Sequence, residues 1–207
     1  FSWAALNHVK DGDYFELVYD HYRALRRLGI NIDILPASQR DFSNYQCIIA
    51  PGLMHMDADL VSCLESSDAL VIYGPATHSR TETLRISHPL PPNLPNLNVT
   101  VARIDTPRDD MPIPLSNGGH ALRYREVLEG TAAPILTDQQ GGAVAVQNQS
   151  SVYLGAYLEH ETLIQFYNDL LTETNIETLQ LPQGLRKRVT KTEEFWFNYD
   201  CETMETP

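Results

Sequence analysis

Two glutamates that flank a histidine late in the chain could carry acid–base chemistry. Glu159, His160 and Glu161 lie in the segment LEHE, and paired carboxylates hydrolyse glycosidic bonds when they are held a fixed distance apart. The chain has 27 acidic residues, however, and its sequence gives no way of pairing them. Acidic side chains also favour a helix N-terminus, where they meet the positive end of the helix dipole. We therefore interpret the segment as a helix start rather than as a catalytic pair.

The sequence predicts no metal site and no cofactor. A metal centre needs several ligands close together, whereas the other histidines occur singly and the three cysteines lack CxxC spacing. The glycine patterns of nucleotide-binding loops are absent, and so is the GxSxG turn of serine hydrolases. The scattered residues are His8, His21, His55, His78, His88, His120, Cys47, Cys63 and Cys201.

Charge and hydropathy argue against two classes of partner. The formal net charge of −12 opposes the phosphate backbone that a nucleic-acid-binding protein must neutralise. The one basic cluster, Arg186-Lys187-Arg188, is short and is typical of a solvated strand edge. No apolar run approaches the length of about 18 residues that crosses a bilayer. Since three cysteines form no disulfide framework, we predict a cytoplasmic protein that binds neither nucleic acid nor membrane.

The first half of the chain alternates helices with buried strands. Apolar residues at helical spacing predict a helix over residues 13–28, which Gly29 ends. Asp57 is placed to cap a second helix. Strands are predicted over residues 30–35, 47–50 and 69–73. Continuous apolar strands separated by helices indicate an open, mainly parallel sheet with helices on both faces, which is an α/β fold.

Residues 86–115 differ in composition from the first half of the chain, because they contain seven prolines, which exclude a helix. One clear strand is predicted within them, over residues 99–104. We predict a helix over residues 121–130 and a hairpin turn at Gly141-Gly142. Short strands are predicted near residues 133, 142 and 151. A last amphipathic helix is predicted on Leu163, Phe166, Tyr167, Leu170 and Leu171.

We expect a domain boundary after Pro182. Residues 183–207 contain two strand-like pieces and a polar tail, which are too short for a core of their own. The chain also lacks an initiator methionine and opens in mid-pattern. We interpret it as a piece of a longer protein, in which residues 1–182 form the α/β domain and residues 183–207 begin a β domain.

The strand at residues 69–73 ends in a polar loop, at the position where open α/β sheets usually bind their ligands. The loop contains Gly74, Pro75, Thr77, His78, Ser79 and Arg80. Its donors suit a sugar hydroxyl or a carboxylate of a partner. Alternatively, the same side chains only solvate the loop and cap the next element.

The segments APGL, VIYGPATHS and YLGAYLE, in this order, resemble the class I glutamine amidotransferase fold, which is a flavodoxin-like sheet. That family carries its nucleophile in a Gly-x-Cys-x-Gly turn and its other catalytic residues in a late His-Pro-Glu. Matched to this sequence, the cysteine falls at about Pro75, the histidine at Tyr157 and the glutamate at Glu159. Two of the three catalytic groups are therefore missing, and a proline cannot replace a thiolate.

A second resemblance covers nearly the whole chain. The segments YDHYRALRRLGINIDILP, APGLMHMDADLV, YGPATHSRTETLRI, LPPNLPNLNVTVARID and YREVLEG are similar, in register, to the middle domain of glycoside hydrolase family 42 β-galactosidases. The resemblance implies an amidotransferase-like domain that mediates trimerisation, flanked by a catalytic (β/α)8 barrel and a small C-terminal β domain. Residues 186–199 resemble the opening of that last domain.

The resemblance implies a non-catalytic chain, because nothing here corresponds to the barrel and its two glutamates. We expect a homotrimer in the full-length enzyme, with contacts to barrels of its own and neighbouring chains. The proline-rich residues 86–115 are either a docking segment, since extended proline-containing chain loses little entropy on ordering, or a structural crossover. The alternative function is a free-standing amidotransferase-like protein that binds a small molecule beside Pro75.

Overall fold

The computed structural model of the chain describes residues 14–200. They divide into two compact units, one made of residues 14–18 and 36–159 and the other of residues 19–35 and 160–200. His8, Cys201 and the predicted helix start at Asp13 lie outside the described residues.

The described residues contain three helices and eleven strands. The helices are α1 (Tyr14–Arg27), α2 (Ala58–Glu65) and α3 (His160–Glu173). The strands are β1 (Cys47–Ala50), β2 (Leu70–Tyr73), β3 (Val99–Asp105), β4 (Ile113–Pro114), β5 (His120–Gly130), β6 (Ala133–Thr137), β7 (Ala143–Asn148), β8 (Ser151–Leu154), β9 (Ala156–Leu158), β10 (Leu185–Val189) and β11 (Glu194–Asn198).

The main sheet of the first unit has the strand order β1-β2-β8-β7-β6. The pairs β1/β2 and β2/β8 are parallel, and all residues of β2 and β8 are buried, as expected for strands covered on both faces. The α/β class predicted from the sequence is confirmed, but only two of the four strand pairings in this sheet are parallel, so it is half parallel rather than mainly parallel. The pairs β8/β7 and β7/β6 are antiparallel because short turns join these strands, and a tight turn can only join antiparallel neighbours.

Helix α2 is positioned by its cap and by the core of the first unit. Asp57 accepts a hydrogen bond from the Leu60 backbone N–H at 2.8 Å, which confirms the predicted N-cap. Leu60 and Leu64 belong to the same buried cluster as Val71 and Tyr73 of β2. The helix therefore lies against the strand whose carboxyl end carries the 74–80 loop.

A second sheet corrects the prediction of a helix over residues 121–130. These residues belong to the long strand β5, which pairs with β3, β4 and β9. Tyr124, Glu126 and Leu128 are all buried and lie on one face of the strand, since side chains alternate along it. Pairing with three strands outweighs the weak helical spacing, because tertiary contacts override local propensity.

In the second unit, α1 ends as predicted and the following strand is absent. Gly29 has φ of 71° and the Ile30 N–H donates to the Leu25 carbonyl at 3.2 Å, a helix end typical of glycine. Residues 30–35 form no strand. Asn31 instead donates to the Val189 carbonyl at 2.7 Å and accepts from its N–H at 3.1 Å, so that a side chain supplies the contact that a strand backbone would make.

The other predicted elements of the second unit are confirmed. Helix α3 buries Leu163, Phe166, Tyr167, Leu170 and Leu171, and β10 and β11 form an antiparallel hairpin. Within residues 14–200, no helix is both long and apolar enough to cross a bilayer.

Candidate functional site

The candidate site begins where β1 and β2 end side by side. Ala50 pairs with Tyr73, and the turns that follow the two strands pack tightly. A Cβ on Gly74 would lie 2.6 Å from the Pro51 Cα, so this close approach requires glycine. Ala76 then adopts a left-handed φ of 62°.

The left-handed residue of the turn is Ala76 and not Pro75. A proline ring fixes φ near −65°, whereas a nucleophile on a sharp strand-to-helix turn is held in a strained backbone. The match of the amidotransferase cysteine to Pro75 stays a prediction, and Ala76, with its left-handed backbone, lies one residue beyond it. Neither side chain is a nucleophile, and Thr77 is fully buried.

The polar side chains of the loop bond within the chain. Thr77 Oγ1 donates to the Ala50 carbonyl at 2.8 Å and Ser79 Oγ to the Ala76 carbonyl at 2.6 Å. His78, with φ of 52°, places Nδ1 2.9 Å from the Pro92 carbonyl. These hydrogen bonds show that the polar side chains order the loop. Contact between residues 74–80 and a ligand stays a prediction.

A buried carboxylate, Glu126 of β5, ties this turn to the sheets. Its Oε1 accepts from the Ala76 N–H at 3.0 Å and from the Tyr124 hydroxyl at 2.8 Å. Its Oε2 accepts from the Tyr153 hydroxyl at 2.8 Å. Only 2% of Glu126 is exposed. The Glu126 side chain thus connects β5 with the left-handed turn and with β8.

The electrostatics of Glu126 are set by two opposing causes. Burial raises its pKa to about 7, and the hydrogen bonds from Tyr153, Tyr124 and the Ala76 N–H offset part of that rise because they stabilise the charged form. The pKa values of Tyr124 and Tyr153 are raised in turn, first by burial and then by the Glu126 charge. Both tyrosines therefore stay neutral donors at ordinary pH.

The sequence alone did not single out Glu126. An acidic residue inside a predicted helix is normally solvated, so Glu126 carried no signal as a site. The available signal was the alternation of Tyr124, Glu126 and Leu128, which indicates a strand with one buried face. A glutamate on such a face must have donors nearby.

Tyr157 and Glu159, the other two residues matched to the amidotransferase catalytic groups, lie on β9 and just after it. Tyr157 packs on the small buried cluster of Ala76 and Tyr124, with its ring centroid 5.6 Å from that of Tyr124. Glu159 is half exposed, and its Oε2 lies 3.3 Å from His120 Nδ1. The turn and Tyr157 therefore share one cluster, while Glu159 lies beside His120 of β5.

The groups considered for acid–base, thiol and metal chemistry have other roles. Helix α3 begins at His160 and carries Glu161 in its first turn, which confirms the helix-start interpretation. Burial raises the pKa of Cys47 to about 12, so its thiol is protonated and unreactive. His21 bonds to the Tyr167 hydroxyl, and burial lowers its pKa to about 4. Among residues 14–200, no three metal-binding side chains are grouped.

Comparison with known proteins gives a consistent set of similarities. A family model described as the β-galactosidase trimerisation domain matches residues 2–177. The β-galactosidase of Thermus thermophilus is 30% identical over 200 residues, which cover 94% of this chain and 31% of that relative. The chain thus spans about a third of the length of this relative.

Solved structures show the same partial coverage. The β-galactosidase of the psychrophilic Marinomonas ef1 matches with a TM-score of 0.92 at 27% identity, over 97% of this chain and 31% of that one. The β-galactosidase of Halorubrum lacusprofundi matches with a TM-score of 0.86 at 21% identity, over 94% of this chain and 32% of that one. The second likeness concerns the fold alone.

Proposed function

Because the chain belongs to the family of the β-galactosidase trimerisation domain, we propose that it holds a glycoside hydrolase family 42 β-galactosidase together as a homotrimer. The observation that carries this proposal is the family match, which extends over residues 2–177. The parent enzyme would hydrolyse terminal non-reducing β-D-galactose residues on a catalytic barrel outside this chain. We place the parent in the cytoplasm and its C-terminal β domain from residue 183 onward.

The turn at the carboxyl end of β2 supports a non-catalytic role. The left-handed residue of this turn is Ala76, which carries no nucleophile, and the neighbouring Thr77 and Ser79 hydroxyls donate to backbone carbonyls. Glu126, the buried carboxylate beneath the turn, accepts hydrogen bonds from a backbone N–H and two tyrosine hydroxyls. These groups organise the fold and leave the reaction to another domain.

The first expected result concerns association. In sedimentation velocity and equilibrium runs, the purified chain should form a species of three times its 23.4 kDa mass, and the species should dissociate on dilution. A closed ring of three requires two different surfaces on each copy, so dimers should be scarce. A chain that stays monomeric at every concentration tested would contradict trimerisation by this domain.

The second expected result concerns activity. The isolated chain should release no nitrophenol from a nitrophenyl β-galactoside above the rate of a buffer blank. An intact family 42 β-galactosidase, assayed at the same molar concentration, is the positive control. Sustained turnover by the isolated chain, undiminished after a further purification step, would overturn the non-catalytic assignment.

A further inference from the structure

The turn that joins β4 to β5, residues 115–119, contains an asparagine followed by a glycine. No other asparagine in the sequence precedes a glycine, and Asn117 and Gly118 are both exposed. The side-chain amide of an asparagine can react with the backbone nitrogen of the next residue, and a side chain on that residue hinders the approach. Glycine has no Cβ, so at this position the approach to the nitrogen is open.

A hydrogen bond within the turn prepares the Asn117 amide for attack. Its Oδ1 accepts from the Gly119 N–H at 3.1 Å, a local contact that asparagine side chains form in turns. The contact closes a ring of atoms that contains both Asn117 Cγ and the Gly118 nitrogen, and it limits how far apart these two atoms can rotate. The same N–H lies at the oxygen on which negative charge develops during attack, and such a donor stabilises that charge.

One backbone hydrogen bond restrains the attacking nitrogen. The Gly118 N–H donates to the Leu115 carbonyl at 3.1 Å, and this bond must open before the nitrogen can lose its proton. A Cβ added to Gly118 would meet no atom of the described residues within 4 Å, so the turn is open on that side. The required opening therefore involves an exposed turn of few residues, which is the kind of segment that opens at low cost in free energy.

We propose that Asn117 is a site of spontaneous deamidation, in which the chain reacts with itself and water is the only other reactant. The Gly118 nitrogen gives its proton to solvent and forms a bond to Asn117 Cγ. The bond between Cγ and Nδ2 then breaks, and the amide nitrogen takes a proton from solvent and leaves as ammonia. The product is a cyclic succinimide. Water opens this ring at one carbonyl to give aspartate and at the other to give isoaspartate.

Both products alter the turn. Each adds a negative charge to a chain whose formal net charge is already −12. Isoaspartate also routes the backbone through the former side chain and lengthens it by one carbon. The hydrogen bond from the Leu115 N–H to the Gly119 carbonyl, at 2.9 Å, spans the lengthened segment and should weaken. Because the reaction is intramolecular, the proposal is independent of trimerisation.

Peptide mapping by mass spectrometry tests the proposal. The purified chain is incubated at mildly alkaline pH, well below its melting temperature, and digested with trypsin. Residues 109–123 form one tryptic peptide, in which Asn117 is the only asparagine. This peptide should gain the mass difference between NH₂ and OH about tenfold faster than any peptide whose asparagine precedes a residue with a side chain. An unincubated sample, digested in parallel, corrects for conversion during digestion.

Two variants and a reference peptide complete the experiment. Asn117→Gln should leave the mass of peptide 109–123 unchanged over the same period, because its longer side chain must close a larger ring. Gly118→Ala should slow the conversion several-fold, since it adds a side chain beside the attacking nitrogen. A synthetic peptide 109–123 gives the rate without the fold. The proposal would be overturned by an Asn117 that stays intact in the folded chain while the synthetic peptide converts, by conversion no faster than at other asparagines, or by an unchanged rate in Gly118→Ala.

Discussion

Glu126→Ala should lower the free energy of unfolding by about 3 kcal/mol or more. The substitution removes the one acceptor shared by the Ala76 N–H and the hydroxyls of Tyr124 and Tyr153. Each buried donor that loses its acceptor costs about 1–3 kcal/mol, and the lost side-chain volume adds a cavity term. Urea unfolding at pH 5, below most of the range in which ionisation of Glu126 destabilises the wild type, measures the change by circular dichroism. A loss below 1 kcal/mol would contradict a central role for Glu126.

Glu126→Gln separates the charge of this residue from its hydrogen bonds. The amide keeps an acceptor for the Ala76 N–H and Tyr124, and its NH₂ group can donate to the Tyr153 oxygen. In the wild type, the pKa of Glu126 is raised from 4.5 to about 7 by burial. The folded state therefore binds more protons than the unfolded state between these pH values, and stability falls as the pH rises through that window.

The difference in free energy of unfolding between wild type and Glu126→Gln, measured as a function of pH, tests the raised pKa of Glu126 most directly. The wild type should lose up to about 3 kcal/mol between pH 4.5 and pH 7 through this group, at about 1.4 kcal/mol per pKa unit, and nothing further above that. The variant lacks this loss, so its stability relative to wild type should rise with pH. Other titrating groups cancel because both proteins share them. A difference that is flat from pH 5 to pH 8 would contradict the raised pKa.

Gly130→Ala should be strongly destabilising, at about 3–5 kcal/mol. Gly130 ends β5 with φ of 154°, and an added Cβ would lie 2.1 Å from the Asn98 carbonyl oxygen and 2.9 Å from the Val99 Cα. These are backbone atoms, so no rotamer change can relieve the overlap. The same Asn98 carbonyl accepts from the Thr131 N–H at 3.0 Å, and displacing it breaks this bond.

Gly118→Ala is the control for the backbone conformation alone. Gly118 also has a positive φ, 86°, but an added Cβ would meet no atom within 4 Å. Its replacement should cost about 1–2 kcal/mol, the penalty of a left-handed residue with a side chain. Midpoints of urea unfolding compare the two variants. If both lose the same stability, the close approach of β5 to Asn98 is not what requires glycine.

The elements that could be predicted from the sequence are those whose determining residues lie next to one another in the chain. Asp57 was recognised because an acidic cap and an apolar helix follow one another directly, and Gly29 because a helix end needs one left-handed residue. Strands β2 and β8 were recognised as continuous apolar runs. In each case the physical cause lies within a few residues of the signal.

The failures occurred where the cause lies far away in the chain. Residues 30–35 alternate like a strand, but alternation only assigns faces, and a strand also needs a neighbour to accept its backbone hydrogen bonds. Strand β5 has such neighbours in β3 and β9, although its own residues resemble a helix. Glu126 was missed for the same reason, since its donors come from the β2 turn, β5 and β8.

The pairing of β2 with β8 has a consequence for the order in which the first unit folds. Strands β6, β7 and β8 are joined by short turns, so they can pair early with little loss of chain entropy. The register Val71↔Ser151, by contrast, closes a loop that contains the proline-rich segment and strands β3 to β7, and such long-range contacts are slow to form. The rate-limiting step of folding should therefore be the docking of β1-α2-β2 onto a preformed β6-β7-β8 meander.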